Sequence, residues 1–194
     1  DAEFFDAAGP QLKVVSNTAV GTDNFDFAEA AKRGVPLGHT PEVLTDATAS
    51  MAFILMQDVA RKVTVGMKMV TDGEWKSWSL LSDLGKDLHD ATLGIVGLGR
   101  IGTEMARLCA AAYRMRVLYY DIEKKPTVEK LLQASRVKRL EDLCGRADFV
   151  SVHVDLNSAT QNMFAAPQFA AMRKDAVFVN TSRGPVVDQD ALHL

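Results

Sequence analysis

The stretch GIVGLGRIG, residues 94–102, contains three glycines with the spacing GxGxxG: Gly97, Gly99 and Gly102. An apolar strand pattern precedes it and a helix pattern follows it. In this setting Gly97 permits a tight turn, Gly99 lets backbone N–H groups approach a diphosphate, and Gly102 lets the helix pack closely on the strand. The helix N-terminus adds unpaired donors and the positive end of its dipole. The spacing therefore predicts a site for the diphosphate of a dinucleotide.

A carboxylate follows at the position where dinucleotide binding needs one. Asp121 lies nineteen residues beyond Gly102, at the end of the strand pattern RVLYYD, where an acid can bind both ribose hydroxyls of an adenosine. An ordinary strand-end carboxylate is the alternative interpretation, but the order strand, turn, helix, strand and acid favours the cofactor role. The charge of Asp121 would repel a 2′-phosphate, so NAD is predicted in preference to NADP. Lys124 and Lys125 could soften that preference, although surface lysines are usually solvated.

An arginine follows another predicted strand, in VNTSRGPVVDQDAL (179–192). The carboxyl end of this strand is expected at the same crevice as the Gly-rich turn, because ligands of open parallel sheets bind there. A guanidinium can fork onto a carboxylate and polarise a neighbouring carbonyl. Arg183 is thus placed for an anionic substrate, although spacing alone leaves a structural ion pair equally open.

Strand and helix patterns alternate from residue 91 onwards and would position these side chains. The strands are apolar and rich in β-branched residues, which predicts a parallel sheet covered by helices on both faces. The fold class is therefore α/β, a doubly wound parallel sheet of the Rossmann dinucleotide-binding type. The predicted strands are TLGIVGL, RVLYYD, VKRL, DFVSVHV and AVFVNTS, and the predicted helices are IGTEMARLCAAAY, TVEKLLQAS, EDLCGRA and PQFAAMRK.

Residues 12–39 form a separate small pattern: the strand LKVVSN, the helix DFAEAAKRG closed by Gly34, and the strand VPLGH. A unit of this size cannot bury its own faces. A long helix is then predicted over 46–69, with Thr45 or Asp46 as its cap. Its apolar stripe exceeds what one domain buries, which predicts a homodimer. The stripe consists of Met51, Leu55, Val59, Val63 and Met67.

Composition excludes several classes of partner. The chain has 194 residues and a net charge of −3, and its scattered basic residues give no basis for binding nucleic acid or an anionic membrane. No apolar run approaches the roughly 18 residues of a membrane span. Cys109 and Cys144 lack metal or redox spacing, so we expect no metal site, free thiols and a cytoplasmic location. Because the chain begins with Asp1 and ends within a helix pattern, DALHL, we expect a piece of a longer polypeptide.

Six segments in family order resemble the D-isomer-specific 2-hydroxyacid dehydrogenases, and among them the glyoxylate and hydroxypyruvate reductase branch. The resemblance implies that residues 1–44 are part of a flavodoxin-like substrate domain. It also implies that residues 45–194 are an NAD-binding domain, which includes the interdomain helix and is truncated at its C-terminal end. The segments are LKVVSNTAVGTDNFD, TPEVLTDATASMAF, GEWKSW, TLGIVGLGRIG, DFVSVHVDLNSAT and NTSRGPVVDQDAL.

The resemblance also implies site residues and a reaction, hydride transfer between NAD and a small 2-oxo or 2-hydroxy acid. Val20 and Gly21 would offer backbone N–H groups to the substrate carboxylate, and Arg183 would hold the substrate and polarise its C2 carbonyl. Trp78 would reach toward the site of a neighbouring subunit, or simply pack in its loop. The implied cofactor-binding residues are Gly97, Gly99, Arg100, Ile101, Gly102, Asp121, Asp155, Thr181 and, close to the cofactor at the start of the interdomain helix, Thr45.

Two departures from the family pattern affect these assignments. Asp155 stands where the family often has proline, which makes its cofactor role uncertain. The family's general acid, a histidine, and the glutamate that orients it both follow the arginine motif and would lie beyond Leu194. We do not expect any histidine of this chain to replace that acid, so the chain alone is expected to lack activity. The histidines considered are His39, His89, His153 and His193.

Two other functions share these motifs. One branch of the family consists of transcriptional corepressors that sense NAD(H), and such a protein can keep the diphosphate site without turnover. A dehydrogenase for another substrate, such as phosphite or formate, is the second alternative. The GEWKSW and VLTDAT segments favour the reductase branch.

Overall fold

The computed structural model describes residues 1–80 and 84–193. Leu194, the last residue of the predicted NAD-binding domain and of the helix pattern DALHL, lies outside the described residues. The strands are β1 (Val15–Ser16), β2 (Leu37–Gly38), β3 (Thr92–Val96), β4 (Arg116–Tyr120), β5 (Ser135–Arg136), β6 (Phe149–Val152) and β7 (Val177–Asn180). The helices are α1 (Ala2–Ala8), α2 (Phe27–Arg33), α3 (Thr45–Arg61), α4 (Val63–Thr71), α5 (Arg100–Tyr113), α6 (Pro126–Leu132), α7 (Leu140–Arg146), α8 (Ala166–Ala171) and α9 (Gln189–Leu192).

Five strands form a parallel sheet in the order β5-β4-β3-β6-β7. The chain runs outward from β3 to β5 and then crosses back to place β6 on the other side of β3. This reversal opens a crevice beyond the carboxyl ends of β3 and β6, where doubly wound folds bind their ligands. The prediction of a doubly wound parallel sheet is confirmed.

Two hydrophobic cores cover the two faces of this sheet. On one face, α3 and α5 pack against strand residues such as Leu93 and Ile95. On the other, α7 and α8 pack against Val96 and Val150. The alternation of neighbouring residues between the cores follows from the two-residue period of a strand. One free cysteine lies in each core, and burial raises the pKa of Cys109 and of Cys144 to about 12.

The N-terminal segment forms the predicted βαβ unit with shorter strands than expected. Strands β1 and β2 pair in parallel over two residues each. Between them, the carboxylate of Asp26 accepts from the N–H of Glu29 at the start of α2, and Gly34 closes this helix with φ 65°. Helix α1, which precedes the unit, was not predicted. The unit brings the ends of β1 and β2 to one side, facing the larger sheet.

The prediction of one continuous helix over 46–69 is wrong. Helix α3 ends at Arg61, and Lys62 adopts a left-handed conformation (φ 54°) before α4 begins. The carboxylate of Asp58 accepts from the N–H and the hydroxyl of Thr64 at 2.7 and 2.6 Å. The Asp58 carboxylate therefore caps the start of α4. It takes the place of a main-chain hydrogen bond that the interruption at Lys62 removes.

Two further sequence expectations are corrected. Neither Thr45 nor Asp46 caps α3, because Leu44 is its N-cap residue and no side chain supplies a cap bond. The predicted strand VKRL begins just after the observed one, since β5 is Ser135–Arg136 and Leu140 already begins α7. Val137 and Leu140 belong instead to the core beneath α7, and so short an apolar stretch does not distinguish a strand from the start of a helix.

The apolar stripe of α3 and α4 is not buried within the chain. Helix α3 packs on the sheet through its small residues, Ala49, Ala52 and Ala60, together with Met56. The stripe residues lie on the surface, 39–64% exposed: Met51, Leu55, Val59, Val63 and Met67. Among the described helices, none is long and apolar enough to cross a membrane.

Candidate cofactor and substrate site

A cleft of about 730 Å³ separates the N-terminal unit from the carboxyl edge of the large sheet. One wall comes from the loops after β1 and β2 and from the start of α3. The opposite wall comes from the start of α5 and from the segments that follow β6 and β7. Every wall segment thus follows a parallel strand or begins a helix, which is where polar backbone groups are left without regular partners.

The three glycines of the Gly-rich loop differ in whether the structure requires glycine at their positions, and why. Gly97 has φ +88°, and a Cβ there would lie 2.6 Å from the carbonyl oxygen of His153. A Cβ on Gly102 would lie 2.1 Å from the carbonyl oxygen of Gly97. Gly99 has an ordinary backbone conformation, and a Cβ there would meet nothing within 4 Å. Neither conformation nor packing within the chain requires glycine at 99, so the open space above it suits a group from outside the chain.

The start of α5 presents uncapped backbone donors beside this open space. Gly99 is the N-cap residue and has no side chain to accept from the first amides of the helix. The next two residues, Arg100 and Ile101, both line the cleft. The guanidinium of Arg100 lies 3.0 Å from the carboxylate of Glu42 across the cleft, and both side chains are exposed. An anion at this helix start would meet a positive dipole end and a cation together.

Asp121 lies beside the Gly-rich loop, although it is outside the lining of the cleft. Its carboxylate accepts from the N–H of Leu98 at 2.8 Å and from the N–H of Glu123 at 2.9 Å. The guanidinium of Arg136 donates to the carbonyls of Asp121 and Ile122. These contacts fix the acid at the end of β4, next to the turn that carries Gly99.

On the opposite wall, two consecutive amides have no hydrogen-bond acceptor in the part of the chain that the structure describes. The carbonyl of Val20 contacts Nδ1 of His39 at 3.0 Å, and the carbonyl of Gly21 accepts from the side chain of Asn17 at 3.1 Å. Within residues 1–80 and 84–193, neither the N–H of Val20 nor that of Gly21 donates a hydrogen bond. Both residues line the cleft, so their carbonyls are held while their N–H groups remain available to a ligand.

Arg183 lies against this wall although it follows β7. Its guanidinium donates to the carboxylate of Asp23 from Nε at 3.1 and 3.2 Å and from Nη2 at 2.9 Å. A Cβ on Gly21 would lie 2.0 Å from Nη2, so the guanidinium packs on the bare backbone of Gly21. The side chain of Asn180 holds the loop by donating to the carbonyl of Arg183 and accepting from the N–H of Ser182. The arginine therefore forms an ion pair and also faces the cleft.

The three remaining candidate residues differ in how they meet the cleft. Asp155 lines it with an exposed side chain. Thr181 lines it too, and its buried hydroxyl has no hydrogen-bond partner in the described part of the chain, which is costly unless a ligand supplies one. Thr45 opens α3 as predicted, but Leu44 and Thr48 are the residues of this turn that line the cleft.

Sequence reasoning missed Asp23 and the position of His39. Both face the cleft, His39 because it directly follows β2 and Asp23 because it lies in the loop after β1. Their places at the carboxyl ends of two parallel strands were the available signal. His153, at the end of β6, contacts the hydroxyl of Ser151 at 2.8 Å, and burial lowers its pKa to about 4.

The Gly-rich turn, the acid after β4 and the crevice at the strand reversal define a dinucleotide-binding domain of the doubly wound class. Comparison with known families gives the specific assignment. Residues 53–193 match the family model described as D-isomer specific 2-hydroxyacid dehydrogenase, NAD binding domain. The chain belongs to this family and carries its NAD-binding domain.

Individual relatives agree with this assignment. The chain is 47% identical, over its full length, to the glyoxylate reductase of Korarchaeum cryptofilum and 46% identical, over 99% of its length, to that of Thermococcus onnurineus. It spans 58% of the length of each. Among solved structures, the holo form of D-mandelate dehydrogenase from Rhodotorula graminis covers 99% of this chain with a TM-score of 0.89 and 31% identity. The chain covers 57% of that structure.

Proposed function

We propose that the protein carrying this chain is an NAD-dependent oxidoreductase that reduces a small 2-oxo acid, with glyoxylate or hydroxypyruvate as the substrate. One observation carries the proposal: a single cleft has the uncapped start of α5 on one wall and, on the other, a guanidinium beside two amides that donate to no described residue. The first wall suits a diphosphate and the second suits a carboxylate. The relatives named glyoxylate reductases support the choice of substrate class.

The cofactor side of the cleft would be formed by the start of α5 and by the ends of β4, β6 and β7. The amides of Gly99, Arg100 and Ile101 would bind the diphosphate, with Gly97 and Gly102 shaping the turn. Asp121 would bind the adenosine ribose. Asp155, Thr181 and Thr45 would complete the cofactor contacts. The unpaired hydroxyl of Thr181 is the strongest support for a ligand at that end, because a buried hydroxyl without a partner is unfavourable.

On the substrate side, Val20 and Gly21 would donate their N–H groups to the carboxylate of the oxo acid. Arg183 would bind the same anion and stabilise the negative charge that develops on the C2 oxygen. When bound, the nicotinamide supplies the hydride that this carbon receives. Because Arg183 is held close to the amide of Gly21, both donors can meet one small substrate.

The proton donor is proposed to come from outside these residues. His153 is a poor candidate because burial lowers its pKa to about 4, so its ring is neutral near pH 7. His39 is already in contact with the carbonyl of Val20. The direct test is NADH oxidation by the complete polypeptide with glyoxylate or hydroxypyruvate. We expect turnover with at least one of them, whereas NADH binding with no turnover of any 2-oxo acid would favour an NAD(H)-sensing protein.

Cofactor preference provides a prediction for Asp121. Replacing Asp121 by asparagine keeps an oxygen acceptor for the Leu98 N–H but removes the charge that would repel a 2′-phosphate. We expect the ratio of kcat/KM for NADPH over NADH to rise by roughly tenfold or more. The matched control is Glu123→Gln, since Glu123 is exposed and pairs with Lys125. An unchanged ratio in Asp121→Asn would contradict the ribose role.

We also propose the division of the chain at residue 45, with residues 1–44 belonging to the substrate domain. The cytoplasmic location stays a prediction from cysteine usage. A second copy of the chain is the proposed cover for the exposed stripe of α3 and α4. Beyond α4, Trp75 and Trp78 are 58% and 77% exposed, which leaves Trp78 accessible to a neighbouring subunit.

The stripe gives a prediction for assembly. Val59 lies in the middle of the stripe and is 57% exposed. Replacing it by glutamate puts a charge into a surface that a homodimer would desolvate. Light scattering of the complete polypeptide should give a dimer mass for the wild type and a monomer mass for Val59→Glu. The control Glu104→Gln, on α5, should remain dimeric, and a wild type that is monomeric at micromolar concentration would contradict the proposal.

A further inference from the structure

The ion pair between Asp23 and Arg183 joins the two walls of the cleft. The residues are 160 positions apart in the sequence. Nε and Nη2 of the guanidinium both donate to Oδ1 of the carboxylate, and Nε also donates to Oδ2, at 2.9–3.2 Å. The carboxylate therefore holds the guanidinium by one side edge. This contact fixes the plane and the direction of the group that faces the ligand space.

A count of the N–H groups shows what this contact leaves free. A guanidinium has five N–H groups. Asp23 takes the Nε–H and one Nη2–H, and the carbonyl of Ser182 takes one Nη1–H at 3.0 Å. One N–H remains on each terminal nitrogen. Two donors on neighbouring nitrogens of one guanidinium can bind the oxygens of a small anion.

The loop that carries Asp23 is built to hold this position. The side chain of Asn17 donates to the carbonyl of Gly21 at 3.1 Å and to the side chain of Asn24 at 3.2 Å, which clamps the loop on both sides of Asp23. Nη2 of Arg183 then lies 2.0 Å from the position that a Cβ of Gly21 would take. Since the guanidinium lowers the pKa of the Asp23 carboxyl below its usual value, the acid stays ionised at neutral pH.

We infer that Asp23 is a positioning residue, which holds the side edge of Arg183 so that the two remaining N–H groups point to the 2-oxo acid. The inference rests on the proposed function. Without Asp23, a side chain that is 39% exposed would be free to turn toward solvent. Loss of the ion pair would weaken substrate binding. It would not change the proposed contacts of Gly99 and Asp121 with the cofactor, because these residues belong to other loops.

The test compares Asp23→Asn with Asp26→Asn in the complete polypeptide. Asp26→Asn is the same chemical change three residues away, and asparagine can still serve as the N-cap of α2. In Asp23→Asn, we expect the KM for glyoxylate and the inhibition constant of oxamate to rise by about tenfold or more. We expect kcat to fall by less, and the Kd for NADH and the Tm to match the wild type. Asp26→Asn should behave as the wild type in all four measurements.

A second readout follows Arg183 itself without relying on turnover. Phenylglyoxal reacts with free guanidinium groups, and peptide mass spectrometry locates the modified arginine. We expect Arg183 to react several-fold faster in Asp23→Asn than in the wild type or in Asp26→Asn. An unchanged rate at Arg183, or an unchanged KM for glyoxylate in an active enzyme, would overturn the inference alone. A wild type that turns over no 2-oxo acid would overturn the proposed function, and the inference would fall with it.

Discussion

Replacement of Arg183 by lysine is expected to lower kcat/KM for glyoxylate by roughly a thousandfold in the complete polypeptide. Lysine keeps the positive charge, but its single ammonium lacks the planar fork by which a guanidinium binds Asp23 along one edge and faces the substrate with another. The wild-type arginine engages Asp23, the carbonyl of Ser182 and the backbone of Gly21 together. A point charge cannot reproduce that orientation.

The measurement separates binding from chemistry. NADH titration of Arg183→Lys should give a Kd within about twofold of the wild type, because the amides proposed to bind the diphosphate lie at the start of α5 and Arg183 engages Asp23 instead. The matched control is Arg173→Lys, an exposed arginine that pairs with Asp148 near the amino ends of the strands. Nearly unchanged turnover in Arg183→Lys would contradict the substrate role of this arginine.

Replacement of Gly99 by aspartate is expected to weaken NADH binding by roughly a hundredfold without unfolding the protein. A Cβ at this position meets nothing within 4 Å, and the backbone conformation is open to any residue. Aspartate is also a good N-cap, so the Tm should be equal to or slightly above that of the wild type. The same carboxylate would occupy and repel the proposed diphosphate position. Stability and cofactor affinity are therefore expected to move in different directions.

Two comparisons make this test specific. Gly145→Asp, on an exposed position of α7, should leave NADH binding unchanged. Gly97→Ala should lower the Tm instead, because its φ of +88° and the contact with His153 leave no room for a side chain. If Gly99→Asp bound NADH as tightly as the wild type, the diphosphate would not lie at this loop.

The large sheet was predictable because its signals are local. The strands β3, β4, β6 and β7 are short apolar runs that end in recognisable turns, and Gly97 and Gly102 mark the tightest of them. Buried parallel strands leave such runs in the sequence whatever their neighbours are. Short exposed strands leave no such signal, as β5 shows: its two residues have no apolar pattern, and the apolar residues of the adjacent VKRL predict the strand too late.

The long helix shows a second limit. The periodicity of Met51, Leu55 and Val59 is correct for a helix, but it does not tell which side faces the core. Alanines and Met56 fill the close contact with α5, since small residues let helices approach. The break at Lys62 depends on the carboxylate of Asp58 reaching Thr64, a side-chain contact that periodicity does not encode.

The site was predictable only in part for a related reason. The Gly-rich loop, Asp121 and Arg183 belong to recognisable motifs. In the structure, the residues that follow the Gly-rich turn and Arg183 line one cleft. The partner of Arg183 was not predictable from spacing, because Asp23 comes from a loop after a two-residue strand. An ion pair across 160 positions exists only once the N-terminal unit packs against the sheet.

The most direct test of the proposed site is a crystal structure of the complete polypeptide with NADH and oxamate. We expect the diphosphate on the amides of Gly99, Arg100 and Ile101, and the carboxylate of oxamate between the Gly21 amide and Arg183. A nucleotide bound outside this cleft, or an oxamate that does not touch Arg183, would contradict the proposal.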